Sequence, residues 1–134
     1  MAQDRYPIHI RFNDLDSYGI VNNAVYITYF EEGRKLWFQD RVRRKWDWQR
    51  QGILLVHHEV DYLLPLTLTD EAEIALSIGE IGSKSFEVLY TLYKRHGDKW
   101  LECTWGKSVL VCFDYEKQKT VEVPEEWRRL FEGE

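Results

Sequence analysis

The stretch Asn22-Asn23-Ala24-Val25-Tyr26-Ile27-Thr28-Tyr29-Phe30-Glu31-Glu32-Gly33-Arg34-Lys35-Leu36-Trp37-Phe38-Gln39-Asp40 decides the architecture. Thr28, Glu32, Lys35 and Gln39 recur at steps of four, three and four, and Tyr26, Phe30, Gly33 and Trp37 repeat those steps on another face, which is helical periodicity. Val25, Tyr29 and Leu36 fall between the two rows, so only one narrow strip is polar. A helix that is apolar around most of its circumference must be enclosed, by a sheet of its own chain or by a partner chain. It is expected to be the central helix, with Glu31 and Arg34, three apart, forming an internal ion pair.

Upstream, Ile8-His9-Ile10-Arg11-Phe12 alternates apolar and polar residues and predicts a strand over 7–12. The turn and cap residues Asn13-Asp14-Leu15-Asp16-Ser17-Tyr18-Gly19 end it and lead into the helix. Downstream, residues 40–51 extend the helix or form a short second one, which Gly52 ends. Four strand-like segments follow, at 53–64, 71–81, 85–96 and 100–115. The breaks Gly82-Ser83-Lys84 and His96-Gly97-Asp98-Lys99 are short enough for hairpins, so the pairing is antiparallel. Val123-Pro124-Glu125-Glu126 opens a terminal helix that turns Trp127, Leu130 and Phe131 inward. The order makes an α+β layer structure, a five-stranded antiparallel sheet around one helix, as a single domain over 1–134. Its second face is too apolar for water, so a homo-oligomer is expected, sheet edges joining across a two-fold axis being one way to build it.

The composition narrows the function. The chain has 134 residues, 44% of them hydrophobic, and 18 Lys+Arg against 23 Asp+Glu give a net charge of −5. Scattered basic residues on a net-negative chain do not make a nucleic-acid groove. The basic cluster Arg41-Val42-Arg43-Arg44-Lys45 reads as a solvated helix face or loop. Apolar runs such as Ile53-Leu54-Leu55-Val56 fall far below the roughly 18 residues of a membrane span, so no membrane association is expected. The N-terminal residues carry Asp4 and no signal-like apolar stretch, which predicts a cytoplasmic location. Cys103 and Cys112, nine apart in one strand, are expected on opposite faces as unpaired, packed thiols. His57 and His58 are adjacent in a strand and point apart, His9 and His96 are isolated, and no metal is expected. Trp37, Phe38, Trp46 and Trp48 read as core before they read as an acyl pocket.

One constellation carries chemistry. Asp16 lies three residues before Gly19 and six or seven before Asn22-Asn23 at the helix start. A helix N-terminus presents unpaired N–H groups and a partial positive charge that can hold an oxyanion, and a carboxylate just upstream can face the same point. An ionised aspartate can attack a carbonyl or take a proton from water. A thioester suits so spare a site, because its thiol, with a pKa of about 8.5, leaves with little help. The same residues also compose an ordinary turn from Asp16 to Gly19 and an ordinary N-cap at Asn22 or Asn23.

Asp16-Ser17-Tyr18-Gly19-Ile20-Val21-Asn22-Asn23-Ala24-Val25-Tyr26, continuing through Tyr29-Phe30-Glu31-Glu32-Gly33-Arg34, resembles the signature loop and helix of hotdog-fold acyl-CoA thioesterases of the 4-hydroxybenzoyl-CoA thioesterase type. Val60-Asp61-Tyr62, Pro65, Gly82, Ser85 and the strand ending at Asp114 extend the resemblance over nearly the whole chain. It implies that Asp16 is the catalytic carboxylate, as nucleophile through a mixed anhydride or as base for water. It implies that the Asn23 backbone N–H is the oxyanion donor and that Gly19 lets the chain approach the thioester. The substrate would be an acyl-CoA or acyl carrier protein thioester, with coenzyme A as part of the substrate and no separate cofactor. The resemblance implies a site formed between subunits of a homodimer or homotetramer, with Lys84 and Ser85 as candidates for contact with the phosphate or pantetheine. Relatives often carry His at the position of Ile20 or Asn23, and this sequence has neither, so the carboxylate must act without an imidazole. A non-catalytic acyl-thioester binding module is the alternative. A hotdog dehydratase would need a His near an acid on the helix, and none lies between Asn13 and Gly52.

Overall fold

Residues 4–42 and 46–133 are described by the structure, a computed structural model. Helix α1 spans Val25–Arg41 and buries Tyr26, Tyr29, Phe30, Gly33, Arg34, Trp37 and Phe38, the apolar row of the sequence together with Tyr29 between the rows. It lies on an antiparallel sheet of β1 (Asp4–Ile8), β2 (Gln51–Tyr62), β3 (Ala72–Ile81), β4 (Ser85–His96) and β5 (Lys99–Asp114) in the order β1-β3-β4-β5-β2. A two-residue strand, β6 (Lys119–Thr120), adds to β5, so the described sheet has a short sixth member beyond the five expected. Both expected hairpins form, between β3 and β4 and between β4 and β5. Helix α2 (Glu125–Phe131) turns Trp127 and Phe131 into the core beside Phe38 and Phe86, with the Phe86 and Phe131 rings 4.6 Å apart. Trp37 and Phe38 belong to this cluster and are core side chains.

Helix and sheet meet most closely where Phe30 stacks on Tyr90 of β4, ring centroids 4.3 Å apart, and crosses Gly106 of β5. A Cβ added at Gly106 would lie 2.3 Å from Phe30 Cζ, so only glycine lets the ring sit there.

Four sequence expectations change. The first strand ends at Ile8 rather than 12, because the Asp14 carboxylate takes the Arg11 N–H at 3.0 Å and curls residues Phe12–Asp14 into a 3-10 turn. Helix α1 stops at Arg41, and of the basic cluster Arg43, Arg44 and Lys45 lie outside the described residues. Cys103 and Cys112 both face the core: the β4–β5 register shifts between Leu92 and Tyr93, and the irregularity turns Cys103 back inward. They are unpaired, as expected. Arg34 does not look to Glu31, which is exposed; its guanidinium crosses the core to the Tyr90 hydroxyl at 2.9 Å and Ser108 Oγ at 3.5 Å.

Candidate active site

The segment between β1 and α1 is a small looped ribbon. Its arms are bridged at Leu15 and Val21, the Asp16 N–H donates to the Ile20 carbonyl at 2.8 Å, and its second arm is stitched to the 66–67 segment by Val21 N–H to Leu66 O at 2.8 Å and by a bridge from Ile20 to Thr67. At its tip Asp16 opens a turn. Asp16 Oδ1 accepts the Tyr18 N–H at 2.8 Å, and the Asp16 carbonyl accepts the Gly19 N–H at 3.1 Å. Gly19 has φ 81°, the left-handed region that glycine enters at no steric cost, with nothing within 4 Å of where a Cβ would be. Its place in the turn therefore rests on backbone conformation.

Where the ribbon joins α1, four of the five amides from Val21 to Val25 are spoken for. Val21 donates to Leu66 O, Asn22 to Asp14 O at 2.9 Å, Ala24 to Asn22 Oδ1 at 2.9 Å, and Val25 to Asn22 O at 2.9 Å. The Asn23 N–H has no acceptor among the described residues. Because a trans peptide sends its C=O and N–H to opposite sides, the Asn22 carbonyl held by Val25 turns the Asn23 N–H away from the first helical turn. Asp16 and Asn23 line one cavity of about 350 Å³, completed by Ile20, Val21, Tyr26, Tyr62, Leu63, Leu64 and Pro65. Its lining is largely apolar and aromatic, with Asp16 and Asn23 its polar members, and Asn23 stands at the positive end of α1.

Two tyrosines close its wall. Burial pushes the Tyr26 phenol up to about 12. Tyr62 donates to the Asn23 carbonyl at 2.6 Å. Beneath the loop, Asp14 is 3% exposed; burial opposes its charge, yet the Arg11 N–H, the Tyr29 hydroxyl at 2.8 Å and the Arg11 guanidinium hold its carboxyl below the ordinary value. Lys84 and Ser85 sit in the β3–β4 hairpin, at the other end of the sheet from this cavity. Among the described residues there is no group of three or more His, Cys, Asp or Glu able to hold a metal, and no helix long and apolar enough to cross a membrane.

The model of the thioesterase-like superfamily matches residues 10–131, which takes in the ribbon, the helix and the whole sheet beyond β1. The chain belongs to the thioesterase-like superfamily. Among its superfamily relatives of known structure, a thioesterase from Thermus thermophilus complexed with coenzyme A and zinc is 31% identical, with TM-score 0.78 over 93% of this chain and 94% of that one. Slr0204, a 1,4-dihydroxy-2-naphthoyl-CoA thioesterase from Synechocystis, shares the fold at 17% identity, with TM-score 0.84 over 98% and 97% of the two chains. The uncharacterized protein YsmA of Bacillus subtilis is 25% identical over 114 residues, 85% of this chain and 75% of its own. The hotdog fold and thioester hydrolysis expected from the sequence therefore hold.

For this thioesterase the sequence reading missed Asp14, Tyr26 and the Tyr62-Leu63-Leu64-Pro65 wall. Asp14 read as one more turn residue, although its place two before Asp16 was a signal. Tyr62 reaches the site only through the strand order, which no local pattern reports.

Proposed function

We propose that this thioesterase hydrolyses acyl-CoA or acyl carrier protein thioesters with Asp16 as its reacting carboxylate and the Asn23 amide as its oxyanion donor. The observation that carries the reading is that Asn23, whose amide is the one unclaimed between Val21 and Val25 among the described residues, lines one cavity with Asp16. The thioester carbonyl oxygen accepts the Asn23 N–H, and charge developing there faces the positive end of α1. Asp16 either adds to the carbonyl carbon, expelling the thiolate and leaving an acyl-aspartyl anhydride that water cleaves, or takes the proton of a water that adds instead. In both routes the C–S bond breaks, the carbonyl carbon gains an oxygen, and the thiolate leaves to be protonated by solvent. The coenzyme A held by the Thermus thermophilus relative supports a CoA carrier.

Lys84 and Ser85 can meet the carrier in a homodimer. If two copies pair antiparallel through the free edge of β2 about a two-fold at its middle, the Gln51 end of one lies beside the Tyr62 end of the other. Lys84 and Ser85 of the copy that supplies the Gln51 end then stand three strand spacings, about 14 Å, across the sheet from that Tyr62 end. Unpaired buried cysteines accord with a reducing, cytoplasmic setting.

Purified protein is expected to release free thiol from a panel of acyl-CoAs of varied length and aryl character. Asp16→Asn keeps an oxygen for the Tyr18 N–H, so it should leave the melting temperature unchanged while lowering kcat at least about 10²-fold. Undiminished turnover removes Asp16 from the reaction, and tight acyl-CoA binding without thiol release across the panel would make the site a binding module.

A further inference from the structure

We propose that Tyr62 is a positioning residue whose hydroxyl, by holding the Asn23–Ala24 peptide, fixes Asn23 Cα and with it the aim of the Asn23 N–H, carried by the preceding peptide, at the thioester carbonyl; this rests on the reading of Asp16 and Asn23 just given. Tyr62 closes β2 and is 49% exposed, yet its hydroxyl donates to the Asn23 carbonyl at 2.6 Å. Its ring stands edge-on to Tyr26 at 5.0 Å, so ring and hydroxyl together grip the start of α1. Burial raises the phenol above its ordinary value, which keeps the proton in place for donation at neutral pH.

Two peptide planes meet at Asn23 Cα. The plane before it is held by Val25 N–H on the Asn22 carbonyl, and the plane after it by Ala24 N–H on Asn22 Oδ1. Those bonds run within the turn: they give it shape but do not place it against the cavity wall. The bonds from Val21 to Leu66 and from Asn22 to Asp14 anchor the chain ahead of Asn23. Among the described residues, the Tyr62 hydroxyl is what anchors the peptide behind it, to a strand 39 residues away. An oxyanion donor acts through its aim at the position where charge develops, and a donor peptide whose neighbour across Asn23 Cα is free to rock spends only part of its time so aimed. Asn23 and Tyr62 are both exposed, so removing the hydroxyl alone keeps the ring packing and lets water take its place on the carbonyl, and the melting temperature should not change.

The experiment compares wild type, Tyr62→Phe and Asp16→Asn. Tyr62→Phe is expected to lower kcat about tenfold at unchanged KM and unchanged melting temperature, less than the 10²–10³-fold that loss of a direct oxyanion donor costs. A trifluoromethyl ketone analogue of acyl-CoA, which imitates the tetrahedral adduct, should bind the variant about tenfold more weakly, whereas a thioether analogue binds both proteins equally. The Ala24 backbone ¹⁵N resonance should shift without any ligand. Equal kcat and equal ketone affinity in Tyr62→Phe, with Asp16→Asn inactive, overturns the role of Tyr62 and leaves that of Asp16 standing. A lower melting temperature with both analogues bound more weakly would mark a structural contact and overturn it as well. Full turnover in Asp16→Asn overturns instead the reading on which the proposal rests.

Discussion

Asp14 points inward, where its carboxylate accepts the Arg11 N–H at 3.0 Å, the Tyr29 hydroxyl at 2.8 Å and the Arg11 guanidinium at 3.3 Å, while its own carbonyl takes the Asn22 N–H. Asp16, two residues on, is half-buried, commits one oxygen to the Tyr18 N–H and lines the cavity. One carboxylate thus braces the loop that presents the other. Burial opposes the Asp14 charge, but its three donors outweigh it and hold the carboxyl below its ordinary value of 3.8. A depressed carboxyl contributes stability that is present above the unfolded value and is lost as pH falls through the folded one. Asp14→Asn should therefore destabilise the fold by about 1–3 kcal/mol at neutral pH. Urea melts from pH 7 downward should show this gap constant to about pH 5 and closing below it. A gap that widens on acidification would contradict the assignment.

At the scale of elements, what the sequence shows and what it hides divide by distance along the chain. Helix α1 was legible because its rows repeat every three or four residues, and the grouping of Asp16 with Asn23, which line one cavity, was legible because both sit close before its start. The Glu31–Arg34 pairing failed for the same reason inverted: three residues apart is a local relation, while the acceptors Arg34 uses, Tyr90 and Ser108, lie 56 and 74 residues on. Cys103 was put on the wrong face by counting, since one register shift between β4 and β5 reverses the alternation. Gly106 carried no local signal; its need appears only once α1 is laid over β5. Gly106→Ala would bring a Cβ to 2.3 Å from Phe30 Cζ, and Phe30 is sandwiched against Tyr90 at 4.3 Å. The ring has to move and take α1 with it. A loss of about 1–3 kcal/mol is expected on thermal or urea denaturation, together with lower thiol release, because the amide end of α1 moves too. Wild-type stability in that variant would show that Phe30 has room to yield.

For the whole molecule the decisive fact is the sheet order. β2 stands at the end of the sheet, bonded to β5 on one side only, and it is twelve residues long. Leu54, Leu55 and Val56 on it are each more than a third exposed, and the chain leaves it through the equally exposed Tyr62, Leu63 and Leu64. Edge strands that stay unpaired are ordinarily short, charged or bulged. β2 has a register irregularity at Val56, but that residue is itself apolar and 57% exposed, and the charges of β2 fall in the second half of the strand, where Glu59 is paired with Lys107. A second copy laid antiparallel along this edge would satisfy its backbone and cover its leucines, and would bring the partner's Lys84 and Ser85 toward the open side of the cavity. Activity and association should then fall together. Light scattering is expected to give twice or four times the chain mass for wild type. The double substitution Leu54→Lys with Val56→Lys, which adds the charges that natural edges use, should yield a folded monomer with little thiol release. A monomeric wild type, or a monomeric variant at full activity, would confine the site to one chain and return Lys84 and Ser85 to the solvent.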